Sequence, residues 1–387
     1  MTRLGLKKVR RLVLKIGSSI IASSSSGLNE ARMKEIAQQV ASLLSRGLEV
    51  LIVSSGAIIC GMEKLGLTER PRSIPLKQAA AAVGQGRLMW AYEKTFSPFD
   101  VQVAQILLTQ EDLDDRKRFL NSRNTLATLL ERKILPIINE NDTVAVEEIR
   151  FGDNDSLAAL VAHLIDAQLL VIFSDVDGLF TEDPRANPGA ALISEVAEVD
   201  EQVERLAGGS TTVEGTGGMA SKVRTAKKVA AYGVPTLILN GTLPDNLTRA
   251  LAGEPIGTYF LPRPTRLSSR KHWIAHTLKP KGKLTLDRGA VEAVASKGKS
   301  LLPSGVVRVE GRFEAGDAVL CLSPEGTEVA RGLCNYSSQE TARILGARSA
   351  EIEKRLGYKL TDEVIHRDNL VLIGAETEEG PRTEDGK

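Results

Sequence analysis

Two stretches of the chain combine a lysine with small, flexible residues, as phosphate-binding sites do. One is Lys15-Ile16-Gly17-Ser18-Ser19, which closes an apolar run near the start of the chain. The other is Gly215-Thr216-Gly217-Gly218-Met219, with Lys222 four residues after Gly218. Glycine lets a phosphate approach the backbone, small side chains leave amide donors accessible, and an ammonium group neutralises charge. The pattern is typical of a nucleotide phosphate site, and phosphoryl transfer depends mainly on such positioning and charge neutralisation.

Two polar clusters lie between the lysine-containing stretches. They are Asn139-Glu140-Asn141-Asp142 and Gly152-Asp153-Asn154-Asp155. An exposed acidic loop that caps a helix would have the same composition. Both clusters fall at junctions between a predicted strand and a predicted helix, which favours a site over that alternative. Amides supply donors and acceptors, and aspartates can pair with an ammonium, orient lysines or hold Mg²⁺.

Apolar runs typical of buried strands precede most of these polar residues. The runs alternate with segments of helical periodicity, of which 29–47, 154–167 and 219–232 are the clearest. This alternation predicts an α/β fold with a doubly wound, mainly parallel sheet sandwiched by helices, in which ligands bind beyond the carboxyl ends of the strands. The predicted strands are residues 12–16, 49–53, 101–108, 135–138, 168–173 and 235–239.

The character of the chain changes near residue 255, where prolines and glycines cluster. Beyond this point the apolar runs are shorter and turn-rich, which predicts a small, mainly β domain. The last residues are polar and acidic, as in a disordered tail. The predicted organisation is a first domain at 1–260, a linker at 261–279, the small β domain at 280–358 and a C-terminal extension at 359–387.

Composition restricts the partners of the protein. Its 387 residues carry a net charge of +1, so no global field attracts nucleic acid or a membrane surface. No segment approaches the roughly 20 apolar residues that span a bilayer. Three widely spaced cysteines without a metal-binding pattern favour reduced thiols and a cytoplasmic location. We expect a homo-oligomer with no membrane partner.

The chain resembles the amino acid kinase family over about residues 10 to 370. After the predicted linker, SLLPSGV (300–306) and GYKLTDEVIHRDNLVL (357–372) resemble the PUA domain that many bacterial members carry. The GDND motif and the PUA segment together favour the branch that phosphorylates glutamate over those that phosphorylate aspartate, acetylglutamate, carbamate or UMP. The most specific matching segments of the first domain are LVLKIGSS (12–19), VSSGAI (53–58), AVGQGRL (82–88), RFLNSRNTL (118–126), INENDTVA (138–145), FGDNDSLAAL (151–160), SDVDGLFTEDPR (174–185) and GTGGMASK (215–222).

The resemblance implies an activity and roles for individual residues. The activity is ATP-dependent phosphorylation of the side-chain carboxylate of L-glutamate to L-glutamyl 5-phosphate, the first step of proline biosynthesis, with L-proline as feedback inhibitor. Mg²⁺ would bridge the ATP phosphates, and no direct protein ligand for it is identified. Lys15 and Lys222 would neutralise the transferred phosphoryl group, and Asp155 would orient both lysines. Glutamate would be held by Ser55, Asp142 and Asn154. ATP would be held by Lys15, Ser174, Asp175, Thr216, Gly217, Gly218, Met219, Ala220, Ser221 and Lys222.

An RNA-binding PUA protein is the alternative function, because PUA domains also occur in proteins that bind or modify RNA. Between residues 275 and 374, however, 15 basic residues face 13 acidic ones. This balance is far from the basic surface that RNA binding usually requires, and aromatic residues for base stacking are few. We therefore expect no nucleic-acid partner.

Overall fold

The computed structural model describes residues 3–23, 27–144, 154–184, 186–208, 218–262 and 280–373. The chain divides into two units, Met1–Thr265 and Arg266–Lys387. This division falls inside the predicted linker, most of which lies outside the described residues, as do residues 374–387 of the predicted C-terminal extension. None of the helices in the described ranges is long and apolar enough to cross a bilayer.

The first unit is built on an eight-stranded sheet. Its strand order is β5-β6-β4-β1-β7-β9-β10-β8, with β2 and β3 forming a separate two-stranded ribbon. All neighbours pair in parallel except β9 and β10. The predicted doubly wound, mainly parallel sheet is confirmed. The strands are β1 Arg11–Ile16, β2 Ala22–Ser23, β3 Gly27–Leu28, β4 Glu49–Val53, β5 Val103–Leu108, β6 Leu135–Glu140, β7 Leu169–Ser174, β8 Glu195–Val196, β9 Thr236–Asn240 and β10 Thr258–Phe260.

Helices cover both faces of this sheet. Leu12, Leu14 and Ile16 pack with α2 and α4 on one face, whereas Val13 packs with α7 and α9 on the other. Side chains alternate along a strand, so Lys15 lies on the face of Val13. The helices are α1 Ser18–Ile21, α2 Glu30–Ser45, α3 Ala57–Lys64, α4 Ile74–Phe96, α5 Gln110–Asp114, α6 Arg116–Glu131, α7 Asn154–Leu164, α8 Glu201–Leu206, α9 Met219–Ala231 and α10 Asn246–Leu251.

Helices α3 and α4 touch backbone to backbone. A Cβ atom at Gly61 would lie 1.7 Å from the carbonyl oxygen of Ala80, and one at Gly84 would lie 1.8 Å from that of Ala57. No side chain fits at either crossing. Helix α4 was not predicted from the sequence, and Gly61 of α3 and Gly84 of α4 are the residues that allow the close approach.

The second unit is a small, mostly antiparallel sheet with short helices, as the resemblance to a PUA domain implied. Its strand order is β12-β11-β13-β14-β15, and only β11 and β13 pair in parallel. Because β15 pairs with β14, this sheet extends beyond residue 358, where the sequence analysis placed the end of the domain. The elements are β11 Gly282–Leu286, α11 Arg288–Ala295, β12 Val306–Gly311, β13 Ala318–Leu322, β14 Glu328–Leu333, α12 Ser338–Ile344, α13 Ile352–Leu356 and β15 Leu370–Leu372.

Candidate active site

The polar residues of the first unit gather at the carboxyl edge of the sheet. From β1 the chain continues to β4 on one side, and β7 lies on the other side of β1, so the strand order reverses around β1. Ligands of doubly wound sheets bind outside the carboxyl ends of the strands at such a reversal. The residues at these strand ends are Lys15 on β1, Ser54 after β4, Asn139 on β6, Ser174 on β7 and Asn240 on β9.

A fully buried carboxylate joins two lysines at this edge. Asp155 lies in the first turn of α7 and is 0% exposed, whereas Lys15 is 3% and Lys222 is 5% exposed. Lys15 Nζ contacts Asp155 Oδ1, and Lys222 Nζ lies 3.4 Å from Asp155 Oδ2. The structure thus brings together the three residues that the resemblance assigned to catalysis.

Strand geometry and the placement of two helices explain why both lysines contact Asp155. Lys15 lies on the face of β1 that α7 and α9 cover, and these helices supply Asp155 and Lys222 respectively. One carboxylate between two ammonium groups leaves a net positive charge in a region from which water is largely excluded. Charges interact more strongly there than in water. Such a site suits a polyanion, which would complete the neutralisation.

A chain of hydrogen bonds continues from the neighbouring residue, Asn154. Its Nδ2 donates to the carbonyl oxygen of Ser54, to Ser55 Oγ at 3.1 Å and to Asn139 Oδ1 at 2.8 Å. Asn139 Nδ2 then donates to Gln85 Oε1 at 2.8 Å. Ser55 and Asn154, two of the residues predicted to bind glutamate, are therefore in direct contact.

Asn139 belongs to a polar cluster that was predicted from the sequence, but no individual role was predicted for it, and Gln85 was not predicted as a site residue. Asn139 is 2% exposed on a strand whose other residues are also buried. A polar side chain in an otherwise apolar buried strand is a usable signal, because buried polar groups must find partners. Gln85 had only a weak signal, its place in the AVGQGRL segment.

Asp142, the third residue predicted to bind glutamate, lies in the turn that follows β6 and is half-buried. The turn is tied to the sheet, because the Asn141 amide donates to the carbonyl oxygen of Leu108 at 2.9 Å. Thr143 Oγ1 donates to Asn141 Oδ1 at 2.5 Å within the same turn. Asp142 therefore lies at the carboxyl edge, while its role in binding stays a prediction.

The residues predicted to bind ATP, apart from Lys15 on β1 itself, include Ser174 and Asp175 at the end of β7, on the side of β1 opposite β4. Ser174 ends β7 and is buried, and Asp175 beside it is exposed. The Gly241 amide donates to the carbonyl oxygen of Ser174 at 2.8 Å, which ties the turn after β9 to β7. Gly218 precedes α9, whose first residues are Met219, Ala220 and Ser221. Thr216 and Gly217 lie outside the described residues.

A second polar contact supports the loop after β7. Asn240 Nδ2 donates to Asp177 Oδ1 at 2.8 Å, and the Thr242 amide and hydroxyl both donate to Asn240 Oδ1, at 2.9 Å and 2.6 Å. The sequence analysis missed this pair. Its signal would have been a polar residue at the end of β9, beside the predicted end of β7.

Carboxylates and hydroxyls at this edge are the hard oxygen donors that Mg²⁺ accepts. Asp175 and Asp177 are exposed carboxylates beside the end of β7, whereas Asp155 is held by two lysines. Within the ranges that the structure describes, no group of three or more His, Cys, Asp or Glu residues is placed to hold a metal ion. The exposed carboxylates at this edge therefore have the donor chemistry that an ion carried by a nucleotide would need.

Comparison with known proteins identifies the family to which the chain is similar. Residues 10–240 match the model of the amino acid kinase family, and residues 282–356 match that of the PUA domain. Glutamate 5-kinase of Geobacter sulfurreducens is 57% identical over 368 residues, which cover 95% of this chain and 99% of that protein. Glutamate 5-kinase of Caldanaerobacter subterraneus is 50% identical over 363 residues, which cover 94% of this chain and 98% of that protein. The crystal structure of UMP kinase from Bacillus anthracis covers 66% of this chain and 97% of its own, at 17% identity and a TM-score of 0.47. This chain belongs to the amino acid kinase family.

Proposed function

We propose that this protein transfers the γ-phosphoryl group of ATP to the side-chain carboxylate of L-glutamate. The products are ADP and L-glutamyl 5-phosphate, and the reaction is the first step of proline biosynthesis. The observation that carries the proposal is Asp155, fully buried between Lys15 and Lys222 where the strand order reverses. Relatives named glutamate 5-kinase match nearly the whole chain, which supports glutamate as the acceptor.

The reaction needs no general base on the protein. A glutamate side chain has an ordinary pKa of about 4.3, so it is already ionised at neutral pH. One of its oxygens forms the new bond to the γ-phosphorus, and the bond from that phosphorus to the β–γ bridging oxygen breaks, with ADP as leaving group. The lysines provide charge neutralisation for the transferred phosphoryl group, and Asp155 holds both ammonium groups in place.

Glutamate occupies the pocket beside α7. The amide of Asn154 and the hydroxyl of Ser55 are partners for a carboxylate, and the carboxylate of Asp142 is a partner for the α-ammonium group. Ser55 follows the carboxyl end of β4, Asp142 follows that of β6, and Asn154 lies at the amino end of α7. The side-chain carboxylate of the substrate then points towards Lys15 and Lys222.

ATP occupies the opposite side of β1. Its phosphates lie at the amino end of α9, where backbone amides and Lys222 meet negative charge. Ser174, Asp175 and the segment from Thr216 to Lys222 hold the nucleotide. Asp175 and Asp177 are exposed carboxylates beside the end of β7 that would help to hold Mg²⁺, and the ion would supply positive charge to the ATP phosphates.

The proposal includes feedback inhibition of the enzyme by L-proline and assembly into a homo-oligomer. L-Proline shares the α-carboxylate and α-nitrogen of glutamate but has no side-chain carboxylate to phosphorylate. It would occupy the glutamate pocket without reacting. We expect the enzyme to act as a homo-oligomer in the cytoplasm. ATP is available there, and reducing conditions keep free cysteines as thiols, as Cys60, Cys321 and Cys334 are in this structure.

The test is amino-acid-dependent release of ADP with MgATP, together with trapping of the acyl phosphate by hydroxylamine. L-Glutamate should be the preferred acceptor in a panel that includes aspartate, N-acetylglutamate and UMP. Removal of Mg²⁺ with EDTA should stop the reaction. Equal or better use of aspartate or N-acetylglutamate would place the protein in another branch of the family.

A further inference from the structure

Gln85 carries a buried hydrogen-bond donor that has no partner among the described residues, and its side chain contacts Asn139 beside the candidate glutamate pocket. It lies in the middle of α4, and its Oε1 accepts a hydrogen bond from Asn139 Nδ2 at 2.8 Å. Its Nε2 is buried and has no hydrogen-bond partner among the residues that the structure describes. A buried donor without a partner is unfavourable, and an acceptor on a ligand would relieve that cost.

The backbone fixes which end of the Gln85 amide is the free one. The amide N–H of Glu140 can only donate, and it donates to Asn139 Oδ1 at 3.0 Å. The other end of the Asn139 side chain is therefore its NH₂ group, which requires an acceptor on Gln85. Gln85 must present Oε1 to Asn139, so its second end is an NH₂ donor and not an oxygen.

Helix packing holds this donor beside the glutamate pocket. A Cβ at Gly84, the residue before Gln85, would lie 1.8 Å from the carbonyl oxygen of Ala57. Helix α4 therefore lies directly against Ala57, the last residue of the segment Ser54–Ala57. That segment includes Ser55, whose hydroxyl accepts a hydrogen bond from Asn154. Gly56 has φ = +101°, a conformation suited to glycine, at the turn that leads into α3.

From this arrangement we infer that Gln85 Nε2 donates a hydrogen bond to the α-carboxylate of bound glutamate. The inference rests on the proposed function. The contacts run in the order Asp155, next to Asn154 in sequence, then Asn139 and finally Gln85. The side-chain carboxylate must lie at the lysines around Asp155, so Gln85 meets the other end of the substrate. A donor suits the α-carboxylate and not the α-ammonium group.

The variant Gln85→Glu tests this contact because it exchanges one donor group for an oxygen. The acceptor for Asn139 is kept, but a negative oxygen now faces the α-carboxylate. The KM for glutamate should rise about 10- to 100-fold, the range for a lost hydrogen bond to a charged group. The KM for ATP and kcat should stay within about twofold, because the lysines and the α9 side of the site are unchanged.

A matched control makes the same chemical change elsewhere. Gln102 is exposed and precedes β5, at the amino edge of the sheet. Gln102→Glu should leave all three constants as in the wild type. This comparison separates a local contact from the effect of one added negative charge on the unit.

The pH dependence adds a readout that a purely structural role would not change. A protonated glutamate side chain donates and accepts as glutamine does, and burial raises the pKa of a carboxyl group. The ratio of KM for glutamate in Gln85→Glu to that in the wild type should therefore fall as the pH is lowered from about 8 to about 6. A constant ratio over this range would count against a hydrogen bond from this position.

The outcomes separate the inference from the function on which it rests. A wild-type protein that does not phosphorylate glutamate overturns both. An active wild type with an unchanged KM in Gln85→Glu overturns the inference alone. So does an equal change in kcat and in both KM values, which would mean that Gln85 only supports α4. Should Gln85→Glu fail to fold, Gln85→Met removes both the donor and the oxygen that accepts from Asn139, without adding charge, and its KM for glutamate should rise while that for ATP does not.

Discussion

Asp155→Asn should strongly destabilise the first unit. The substitution keeps the size of the side chain but removes the negative charge between Lys15 and Lys222. All three residues are almost completely buried, at 0%, 3% and 5% exposure for Asp155, Lys15 and Lys222. Water therefore cannot replace the lost partner, and two ammonium groups remain next to each other in a region of low dielectric.

The geometry gives the size of the effect. At 3.4 Å, the distance from Lys222 Nζ to Asp155 Oδ2, two unit charges attract by about 5 kcal/mol at an effective dielectric constant of about 20. The hydrogen bonds that the new amide can still make offset part of this loss. Removing one partner of a buried ion pair typically costs about 3–5 kcal/mol. We expect a loss of that size in the free energy of unfolding.

Urea denaturation at neutral pH measures this loss. The control is Glu254→Gln, which makes the same change in an ion pair with Arg249, where the two side chains are 44% and 49% exposed. That pair should contribute only about 0.2–1 kcal/mol. Adding Lys222→Met to Asp155→Asn should restore part of the stability, because one unpaired ammonium is removed. A loss below about 1 kcal/mol, or no recovery in the double variant, would refute the reasoning.

Three further expectations concern catalysis and control. Lys15→Ala and Lys222→Ala should each lower kcat by about 10²–10³, the scale for a group that meets developing charge; near-normal steady-state turnover in both would remove these lysines from the mechanism. Asp142→Ala and Asn154→Ala should raise the KM for glutamate much more than that for ATP, and equal changes would place the two residues in another pocket. A fragment that ends near residue 265, the boundary between the two units, should keep kinase activity and its inhibition by L-proline. That inhibition should weaken as glutamate rises, and its selective loss on truncation would place the control site in the second unit.

Six strands of the eight-stranded sheet and the position of Lys15 follow from local features of the sequence, whereas the short strands β8 and β10 were not predicted. The predicted strands are apolar runs with clear ends, and the structure shifts those ends by few residues. Lys15 is conspicuous because it interrupts such a run. Once β1 is recognised as a strand, alternation of side chains puts Lys15 on the opposite face from Leu14 and Ile16.

The glutamate half of the site depends on contacts that no local pattern reveals. Apolar and small residues are spread around α4, so its periodicity is weak and the helix was not predicted. Gln85 reaches the pocket only because Gly61 and Gly84 let α4 touch α3, which is a property of two helices together. Asn139 is hydrogen-bonded to both Gln85 and Asn154, and these three residues are far apart in sequence.

The contact between α3 and α4 also restricts how the protein can move. Packed helices usually accommodate small sliding motions by changes of side-chain rotamer. At Gly61 and Gly84 the contacting atoms are backbone atoms, so there is no side chain to readjust. We therefore expect the two helices to shift as one body, together with the turn at Ser54–Gly56. Conformational change during a catalytic cycle would therefore arise in other segments, such as the nucleotide side around α9. Amide hydrogen exchange along α3 and α4 should accordingly be slow and alike with and without substrates.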